Sequence, residues 1–387
     1  MDVELLAALH TAAGTAALAA ADEVASVDPL VAASRLRAAG LAPELAAAAL
    51  TQAALRRKAV GKFGDAAGRM FFTRGGLEQA TRGVVARRRA ERLFAAGVRR
   101  IADLGCGLGA DALAAARQGM SVYAVDADPS TAAVAAANVA ALGLGDRVEV
   151  VCGDATAVDL GGFDAVFCDP ARRGGRGRVL DPKSWSPPWD FVAGLPARVP
   201  RTVLKLAPGI DHALLPPGAE GEWVSVDGDL VEAAFWCGPL AGVPRRAVLL
   251  PDDHELTGSG TERAPVGPVG RFLYDPDPAV VRAHLVAEFA ASVDGRLADS
   301  EIAYVHADRA VDTPYGRRLA VTDVMPFSLK RLRAVLRERA VGRVEIRKRG
   351  SALEPEQLRR DLRLSGPNAA SIVLTRVAGA PTVLLCE

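Results

Sequence analysis

The hydrophobic positions of this chain change their pattern near residue 99. Before it, alanine and leucine dominate, and Asp28-Pro29 and Ala42-Pro43-Glu44 resemble helix starts, so residues 1–98 are predicted to be helical. After it, short apolar runs alternate with helical segments. The predicted strands are residues 100–104, 121–125, 147–151, 164–168, 201–206, 222–236 with Asp227-Gly228 as a candidate break, and 245–250. Helices predicted over 111–118 and 129–142 indicate a mostly parallel sheet with helices on both faces.

A second α/β unit is predicted towards the C-terminus. Residues 251–268 concentrate Gly, Pro, Ser and Thr and are interpreted as a linker. The elements predicted after it are a helix from Asp277-Pro278 to about 292, strands at 301–305 and 318–324, a helix at 328–340, a strand at 341–347, a helix from Pro355, and strands at 371–377 and 381–386. The fold class is therefore α/β, with a helical N-terminal region over 1–98, a Rossmann-like domain over 99–250 and a further α/β domain over 265–387.

Composition narrows the class of protein without naming a partner. Half of the 387 residues are hydrophobic, which excludes a disordered chain, and the net charge is only +1. The cysteines show no C-x-x-C pair or metal-ligand spacing, so reduced thiols and no metal are expected. The alanine-rich N-terminus contains Asp2 and Glu4 but no Lys or Arg before Arg35, which is not typical of a signal sequence. With no run of about 18 strongly apolar residues, we expect a cytoplasmic protein without a membrane span.

The candidate chemistry lies where successive predicted strands end. Residues 101–109, Ile-Ala-Asp-Leu-Gly-Cys-Gly-Leu-Gly, are an apolar strand that breaks into a glycine-rich turn before a helix, and such a turn lets the backbone approach a ligand closely. Asp126, Asp154 and Asp169 follow the second, third and fourth strands. Open α/β sheets bind ligands at these strand ends, so the pattern predicts a nucleotide-type site, with Asp126 at the ribose hydroxyls and Asp154 at the adenine amino group.

These residues resemble the class I S-adenosylmethionine-dependent methyltransferases, whose first motif matches Asp103-Leu104-Gly105-Cys106-Gly107-Leu108-Gly109. A NAD fingerprint would need a further glycine at position 110, which is alanine here. Residues 101–165 hold nine acids and two arginines, which suits a cationic sulfonium and opposes a pyrophosphate. The resemblance implies that Asp103 holds the amino-acid end of the cofactor. The residues assigned to S-adenosylmethionine are Thr73, Asp103, Gly105, Cys106, Gly107, Gly109, Asp126, Ala127, Asp154 and Ala155.

The segment after the fourth strand bears on the methyl acceptor. Methyltransferases of exocyclic amines usually carry Asp/Asn-Pro-Pro-aromatic there, in which the carboxylate and proline carbonyls accept hydrogen bonds from the amine. This chain has Asp169-Pro170-Ala171-Arg172-Arg173, which keeps the catalytic pair Asp169 and Pro170 but lacks the stacking ring. Arg172 and Arg173 are candidates to grip phosphate or stack on a base. Trp185 and Trp189 either supply the missing ring or pack within their loop.

A basic segment precedes the glycine-rich turn. Between Arg56 and Arg100 there are thirteen Lys or Arg and three acids, and residues 70–81 add an aromatic pair and a glycine pair. A basic helix is often only a solvated face, but aromatic residues among arginines favour a lid or substrate-entry segment. The segment resembles the region before the first motif of trimethylguanosine-synthase-like methyltransferases, where it closes over the cofactor, and Phe71 and Phe72 are assigned to substrate binding on this basis.

The C-terminal part of the chain resembles that of a bacterial methyltransferase family that ends in a THUMP-like domain. The resemblance rests on Lys205-Leu206-Ala207-Pro208-Gly209 and on residues 326–332 and 346–350. THUMP domains bind RNA, generally tRNA. Residues 330–349 hold nine Lys or Arg and two Glu. A solvated helix face explains Arg333 and Arg337, whereas phosphate binding is favoured for the others. The candidates are Lys330, Arg331, Arg347, Lys348 and Arg349.

The sequence thus predicts a cytoplasmic RNA methyltransferase that acts on a base nitrogen of tRNA or rRNA, with an exocyclic amine as the favoured target. The amine would attack the methyl group in line, and positioning and desolvation rather than a metal would provide catalysis. Two alternatives stay open at this point: a small-molecule or protein methyltransferase, and a non-catalytic RNA-binding protein with a vestigial cofactor site. The sequence does not determine the oligomeric state.

Overall fold

The computed structural model describes residues 3–172 and 185–387, which form two compact units. The first unit comprises Met1–Leu206, Ile210–Ala219 and Ala234–Gly242, and the second comprises Ala207–Gly209, Glu220–Ala233 and Val243–Glu387. Arg173 lies outside the described residues. The predicted domain bounds at 98, 250 and 265 remain predictions.

Helices occupy the N-terminal part of the first unit, as the alanine- and leucine-rich sequence predicts. They are α1 (Val3–Leu9), α2 (Ala12–Glu23), α3 (Pro29–Ala38), α4 (Pro43–Phe63), α5 (Arg74–Gln79) and α6 (Gly83–Ala95). Asp28 caps α3 by accepting hydrogen bonds from the backbone N–H groups of Leu30 and Val31, at 2.9 and 3.3 Å, so the predicted start at Asp28-Pro29 is confirmed. Among the described residues no single helix is long and apolar enough to cross a membrane; only α1 and α2 together, bent by 82°, have the length and composition.

A parallel sheet with helices follows in the same unit. Its strands and helices are β1 (Arg100–Leu104), α7 (Ala110–Arg117), β2 (Ser121–Asp126), α8 (Pro129–Ala141), β3 (Val148–Cys152), β4 (Ala165–Cys168), β5 (Ala171–Arg172), β6 (Trp185–Ser186), α9 (Trp189–Arg198) and β7 (Thr202–Leu206). The strand order is β7-β4-β1-β2-β3, and each neighbouring pair is parallel. The order reverses between β1 and β4, so a crevice forms outside the carboxyl ends of these two strands.

One apolar core joins the N-terminal helices to this sheet. Leu9 of α1, Phe72, Leu93 of α6, Ile101 of β1 and Phe167 of β4 belong to the same buried cluster. The helical region is therefore packed as part of the first unit rather than as a separate bundle.

The second unit contains both parallel and antiparallel strand pairs, together with two pairs of helices. Its elements are β8 (Glu220–Val226), β9 (Asp229–Trp236, whose last three residues belong to the first unit), β10 (Arg245–Leu250), β11 (His254–Gly258), β12 (Phe272–Pro276), α10 (Pro278–Arg282), α11 (Val286–Ser292), β13 (Arg296–Leu297), β14 (Val305–Ala307), β15 (Gly316–Pro326), α12 (Leu329–Glu338), β16 (Val341–Lys348), α13 (Pro355–Leu362), β17 (Asn368–Val377) and β18 (Ala380–Cys386). The strand orders are β11-β10-β8-β9 and β13-β14-β12-β15-β18-β17-β16. Helices α12 and α13 pack through Leu332, Leu336, Leu358 and Leu362 on one apolar core of the second sheet.

The α/β fold class is confirmed, but several details of the second unit were predicted wrongly. Strand β11, an antiparallel partner of β10, lies within the predicted linker 251–268. The polar residues of this segment suit an edge strand as well as a linker. The predicted helix 277–292 is divided into α10 and α11 at His284, whose φ of 61° is incompatible with a continuous helix. The predicted strand 301–305 is displaced to 305–307, and β12 was not predicted.

Candidate active site

The glycine-rich turn between β1 and α7 forms the floor of the crevice. Gly105, Gly107 and Gly109 have φ values of 89°, 57° and 85°. A Cβ atom on Gly105 would lie 2.7 Å from the carbonyl oxygen of Asp169, whereas one on Gly107 would have no atom within 4 Å. The first glycine therefore permits a close backbone contact, and the second faces open space where a ligand can approach.

Asp126 holds this turn from the end of β2. Its Oδ2 accepts a hydrogen bond from the Gly107 N–H at 3.0 Å, and its Oδ1 accepts one from the Asp128 N–H at 3.0 Å. Burial raises the pKa of Asp126, and these backbone hydrogen bonds oppose the shift. Because a carboxylate has about four lone-pair positions, Asp126 can still accept hydrogen bonds from a ligand. Ala127 beside it is exposed, and Cys106 is buried.

Asp103, at the end of β1, is a buried carboxylate. Only 2% of the residue is exposed, and neither Oδ1 nor Oδ2 has a hydrogen-bond partner among the described residues. Complete burial, followed by the carboxylates of Asp111 and Asp169, raises the pKa of Asp103 well above its usual range. Arg89 of α6 forms an ion pair with Asp111. A buried acceptor without a donor is costly, so this position suits a ligand that brings a cationic or N–H group.

Asp169 and Lys205 meet at the ends of neighbouring strands. The Asp169 N–H donates to the Leu104 carbonyl oxygen at 3.2 Å, which fixes the residue beside the glycine-rich turn. Lys205 Nζ forms an ion pair with Asp169 Oδ2. Pro170 follows as a buried residue. Lys205 received no role from the sequence, because its pairing with Asp169 depends on β7 lying beside β4, which no local pattern indicates.

The residues after β3 lie at the surface. Asp154 is exposed, and its Oδ1 accepts a hydrogen bond from the Thr156 N–H at 2.8 Å. This hydrogen bond is the main cause of a lowered pKa of Asp154, which keeps the side chain an acceptor-only carboxylate. Ala155 is buried, with 8% of the residue exposed. The arrangement is compatible with an adenine amino group as donor.

The structure corrects the expected substrate role of Phe71 and Phe72. Both residues are buried, at 5% and 0% exposure, so neither ring is available for stacking. Asn138 of α8 binds both backbone groups of Phe71, and Gln52 of α4 binds both backbone groups of Phe72. Thr73, assigned to the cofactor, caps α5 by accepting from the Gly76 N–H at 3.0 Å. The local sequence does not distinguish an aromatic pair in a core from one in a lid, and here both rings belong to the core.

Several cations of the basic segment 56–100 have internal partners. Arg56 is buried and donates from Nε to the Met70 carbonyl at 2.9 Å. Lys62 Nζ donates to the carbonyls of residues 77, 78 and 80, at 2.7, 2.9 and 2.9 Å, around the C-terminus of α5. Arg92 lies 3.9 Å from the centre of the Trp236 ring. These charges stabilise the first unit, which explains part of the local excess without an RNA partner.

The tryptophan candidates pack against each other. The Trp185 and Trp189 rings are 5.3 Å apart in an edge-to-face arrangement, and Trp185 is buried. This supports loop packing for Trp185, whereas Trp189 is half-buried. Arg172 pairs through its backbone in β5 with Trp185 in β6, and Arg173 lies outside the described residues.

The cations at the end of β16 have acidic partners within the second unit. Arg347 Nη1 lies 2.6 Å from Asp275 Oδ2, and Arg349 Nη2 lies 2.9 Å from Asp275 Oδ1. Lys348 Nζ lies 2.8 Å from Glu354 Oε1. The local excess of charge that favoured phosphate binding here is thus largely compensated by acids from elsewhere in the sequence.

Helix α12 keeps Lys330 and Arg331 at the surface, whereas Arg333 is half-buried and donates from Nε to the Asp361 carbonyl at 2.6 Å. Lys330 and Arg331 are exposed and form no ion pair among residues 3–172 and 185–387, while Leu332 and Leu336 face the core. In the described part of the chain, no group of three or more His, Cys, Asp or Glu side chains is arranged to hold a metal ion.

Comparison with known proteins identifies the family. A methyltransferase domain family matches residues 101–172, a THUMP domain-like family matches residues 316–387, and a domain of unknown function matches residues 2–59. Uncharacterised S-adenosylmethionine-dependent methyltransferases from two strains of Mycobacterium tuberculosis, CDC 1551 and H37Rv, are each 36% identical over 346 residues, which cover 84% of this chain and 90% of each relative. The chain belongs to the S-adenosylmethionine-dependent methyltransferases.

The family confirms the enzyme class and the cofactor, S-adenosylmethionine. A solved structure from Porphyromonas gingivalis W83, described as a candidate methyltransferase, superimposes with a TM-score of 0.72 and 21% identity, covering 89% of this chain and 91% of that chain, and so supports the fold. The residues present fit the cofactor, because the buried Asp103 oxygens lack donors and Gly107 borders open space. The predicted THUMP-like region is confirmed over 316–387.

Proposed function

We propose that this methyltransferase modifies a nitrogen of an RNA base, with an exocyclic amine as the favoured acceptor. The observation that carries the proposal is the position of Asp169-Pro170, whose backbone lies against Gly105 of the cofactor turn. Acceptor oxygens at this place can receive the N–H groups of an amine that faces the methyl donor.

The cofactor would be held by the residues of the crevice. Asp103 would accept from the ammonium group of the amino-acid end, Asp126 from the ribose hydroxyls, and Asp154 with Ala155 would border the adenine. S-adenosylmethionine supplies an electrophilic methyl group when bound. The chain's own contribution is to orient the amine at Asp169 and the Pro170 carbonyl and to exclude water around it.

The C-terminal region supports RNA as the class of substrate. Residues 316–387 match the THUMP domain-like family, and Lys330 and Arg331 present exposed charges on α12. Each phosphate contact should give a log–log salt slope of about 0.7–0.9. A cytoplasmic location and the domain bounds 98, 250 and 265 form part of the same proposal.

The experiment is transfer of labelled methyl groups to bulk tRNA and rRNA from a strain that lacks the gene. We expect label in one RNA class with the wild-type protein and none with Asp169→Ala, which should bind S-adenosylmethionine within a few-fold of the wild type in calorimetry. Lys58→Met, at an exposed position of α4, is the control. Cofactor binding without any RNA labelling would refute RNA as substrate and indicate a small-molecule or protein acceptor. Loss of cofactor binding in Asp169→Ala would make Asp169 a structural residue.

A further inference from the structure

A charged residue of α6 faces the interior of the first unit. The buried residues of this helix are Val85, Ala86, Arg89, Ala90 and Leu93. The helical period therefore places Arg89 on the apolar face of α6. Only 4% of its side chain is exposed, and its guanidinium carbon lies 4.7 Å from the centre of the Phe167 ring on β4. A guanidinium removed from water in this way needs an anionic partner inside the protein.

Two carboxylates share a small cavity with this guanidinium, and they differ in their partners. Asp103 of β1 and Asp111 of α7 line the cavity together with Arg89. Asp111 has both oxygens engaged, because Oδ1 forms the ion pair with Arg89 Nη1 and Oδ2 accepts a hydrogen bond from Thr81 Oγ1 at 2.7 Å. Neither oxygen of Asp103 has a hydrogen-bond partner among the described residues. Arg89 is thus committed to one of two carboxylates.

The choice of partner depends on Asp111. Among the described residues that line the cavity, Asp103 is the only other acid. The charge of Arg89 already acts on it: burial, followed by Asp111 and Asp169, raises the pKa of Asp103, and Arg89 opposes the rise. If Asp111 did not hold the guanidinium, Asp103 would be the carboxylate left in the cavity to pair with it.

We propose that Asp111 is a positioning residue that keeps Arg89 away from Asp103, so that the Asp103 carboxylate stays open to the ammonium group of S-adenosylmethionine. The inference rests on the role proposed above for Asp103. An ion pair between Arg89 and Asp103 would compensate the buried charge that the cofactor otherwise compensates, and two cations would compete for one carboxylate. Thr81, which is buried, assists by holding the second oxygen of Asp111.

The test measures Kd values by calorimetry for S-adenosylmethionine and for methylthioadenosine, which has the nucleoside and a thioether but no amino-acid end. Asp111→Asn removes the charged partner of Arg89 with little change in shape, so Arg89 should turn to Asp103. We expect the Kd for S-adenosylmethionine to rise about tenfold or more, as for the loss of one charge-assisted hydrogen bond. The Kd for methylthioadenosine should stay within a few-fold of the wild type, whereas a distorted glycine-rich turn would weaken both ligands.

A second substitution shows whether Arg89 is the cause. Asp111→Asn combined with Arg89→Met removes both charges and leaves Asp103 without a partner, so the Kd for S-adenosylmethionine should return to within a few-fold of the wild type. Arg87→Met, at an exposed position of the same helix, is the matched control and should bind both ligands as the wild type does. If Asp111→Asn alone does not fold, the double variant still has to show this recovered affinity.

Three results would overturn the inference. They are wild-type affinity for S-adenosylmethionine in Asp111→Asn, equal weakening of both ligands in that variant, and weak binding of S-adenosylmethionine by the folded double variant. Asp103→Asn separates this inference from the role on which it rests. Wild-type affinity in Asp103→Asn would refute the proposed role of Asp103 and the inference with it, whereas weak binding in Asp103→Asn with wild-type binding in Asp111→Asn would refute the inference alone.

Discussion

Asn138 of α8 is the residue whose replacement should most directly separate folding from cofactor binding. It is fully buried and joins two segments that are distant in sequence. Its Oδ1 accepts from the Phe71 N–H at 2.7 Å, and its Nδ2 donates to the carbonyls of Phe71 and Leu108, at 3.1 and 3.0 Å. Leu108 belongs to the glycine-rich turn, so a single amide holds both the N-terminal segment and the cofactor turn.

The expected cost of Asn138→Ala follows from these three hydrogen bonds. Each buried backbone group left without its partner costs about 1–3 kcal/mol, although carbonyl groups tolerate the loss better than an N–H group. Partial relaxation reduces the sum, so we expect a loss of about 3–5 kcal/mol in the free energy of unfolding. Asn138→Asp should cost at least as much, because a carboxylate keeps the contact with the Phe71 N–H but faces two carbonyl oxygens that it cannot donate to.

Gln52 provides a matched control. Its side chain accepts from the Phe72 N–H at 3.0 Å and donates to the Phe72 carbonyl at 2.8 Å, so it holds the same segment from α4. We expect Gln52→Ala to lower stability by about 2–4 kcal/mol but to leave cofactor affinity within a few-fold at a temperature where both variants are folded. Asn138→Ala should in addition weaken S-adenosylmethionine binding at least tenfold. Urea denaturation and calorimetric titration measure the two quantities.

Two results would contradict this role of Asn138. A loss below about 1 kcal/mol in Asn138→Ala would show that water or a local shift satisfies the freed backbone groups. Equal cofactor affinities in the folded Asn138→Ala and Gln52→Ala proteins would show that Asn138 does not position the turn.

Three further predictions concern single residues. Gly105→Ala places a Cβ 2.7 Å from a carbonyl oxygen at a φ of 89°, and it should lower the free energy of unfolding by about 3 kcal/mol or more. Gly143→Ala has a φ of 69° but no atom within 4 Å of the new Cβ, so it should cost only about 1 kcal/mol. Urea denaturation of the two variants measures the difference. Burial raises the pKa of Asp103, so the contribution of this residue to stability falls as the pH rises above the ordinary carboxyl pKa. Asp103→Asn should therefore raise the free energy of unfolding more at pH 8 than at pH 5. The same substitution should weaken cofactor binding at least tenfold. Burial and a nearby arginine lower the pKa of His306 from 6.5 to about 4, so acid favours the unfolded chain. Between pH 7.5 and pH 4, the free energy of unfolding of the wild type should fall by about 3 kcal/mol relative to that of His306→Gln. Parallel profiles of unfolding free energy against pH for the two proteins would contradict this.

The positions of the acidic residues at the strand ends could be predicted because they depend on local patterns. Strand ends and glycine turns are short-range features, and the carboxyl ends of parallel strands must lie at one edge of the sheet. Asp103, Asp126 and Asp169 therefore lie around one turn, as expected. The pairing of Asp169 with Lys205 depends on which strand lies beside β4, and that order is not a local property of the sequence.

Two errors in the assignment of substrate-binding residues have a common physical cause. Phe71 and Phe72 were assigned to substrate because local composition does not show that Gln52 and Asn138 hold their backbone. The cluster Arg347 to Arg349 counted as a net positive surface because Asp275 is more than 70 residues away in sequence. Charge and aromatic content indicate a surface site only after long-range partners have been considered.

The internal use of the basic segment changes how the N-terminal region should be understood. Its helices share the core of the sheet, and Asn138 joins the segment before α5 to the cofactor turn. Lys62 caps α5, and a Cβ on Gly76 of that helix would lie 2.6 Å from the Leu108 side chain. The region is therefore part of the structure that keeps the turn in shape. Since ordering the turn costs conformational entropy, a scaffold that holds it beforehand should strengthen cofactor binding without any direct contact to the ligand.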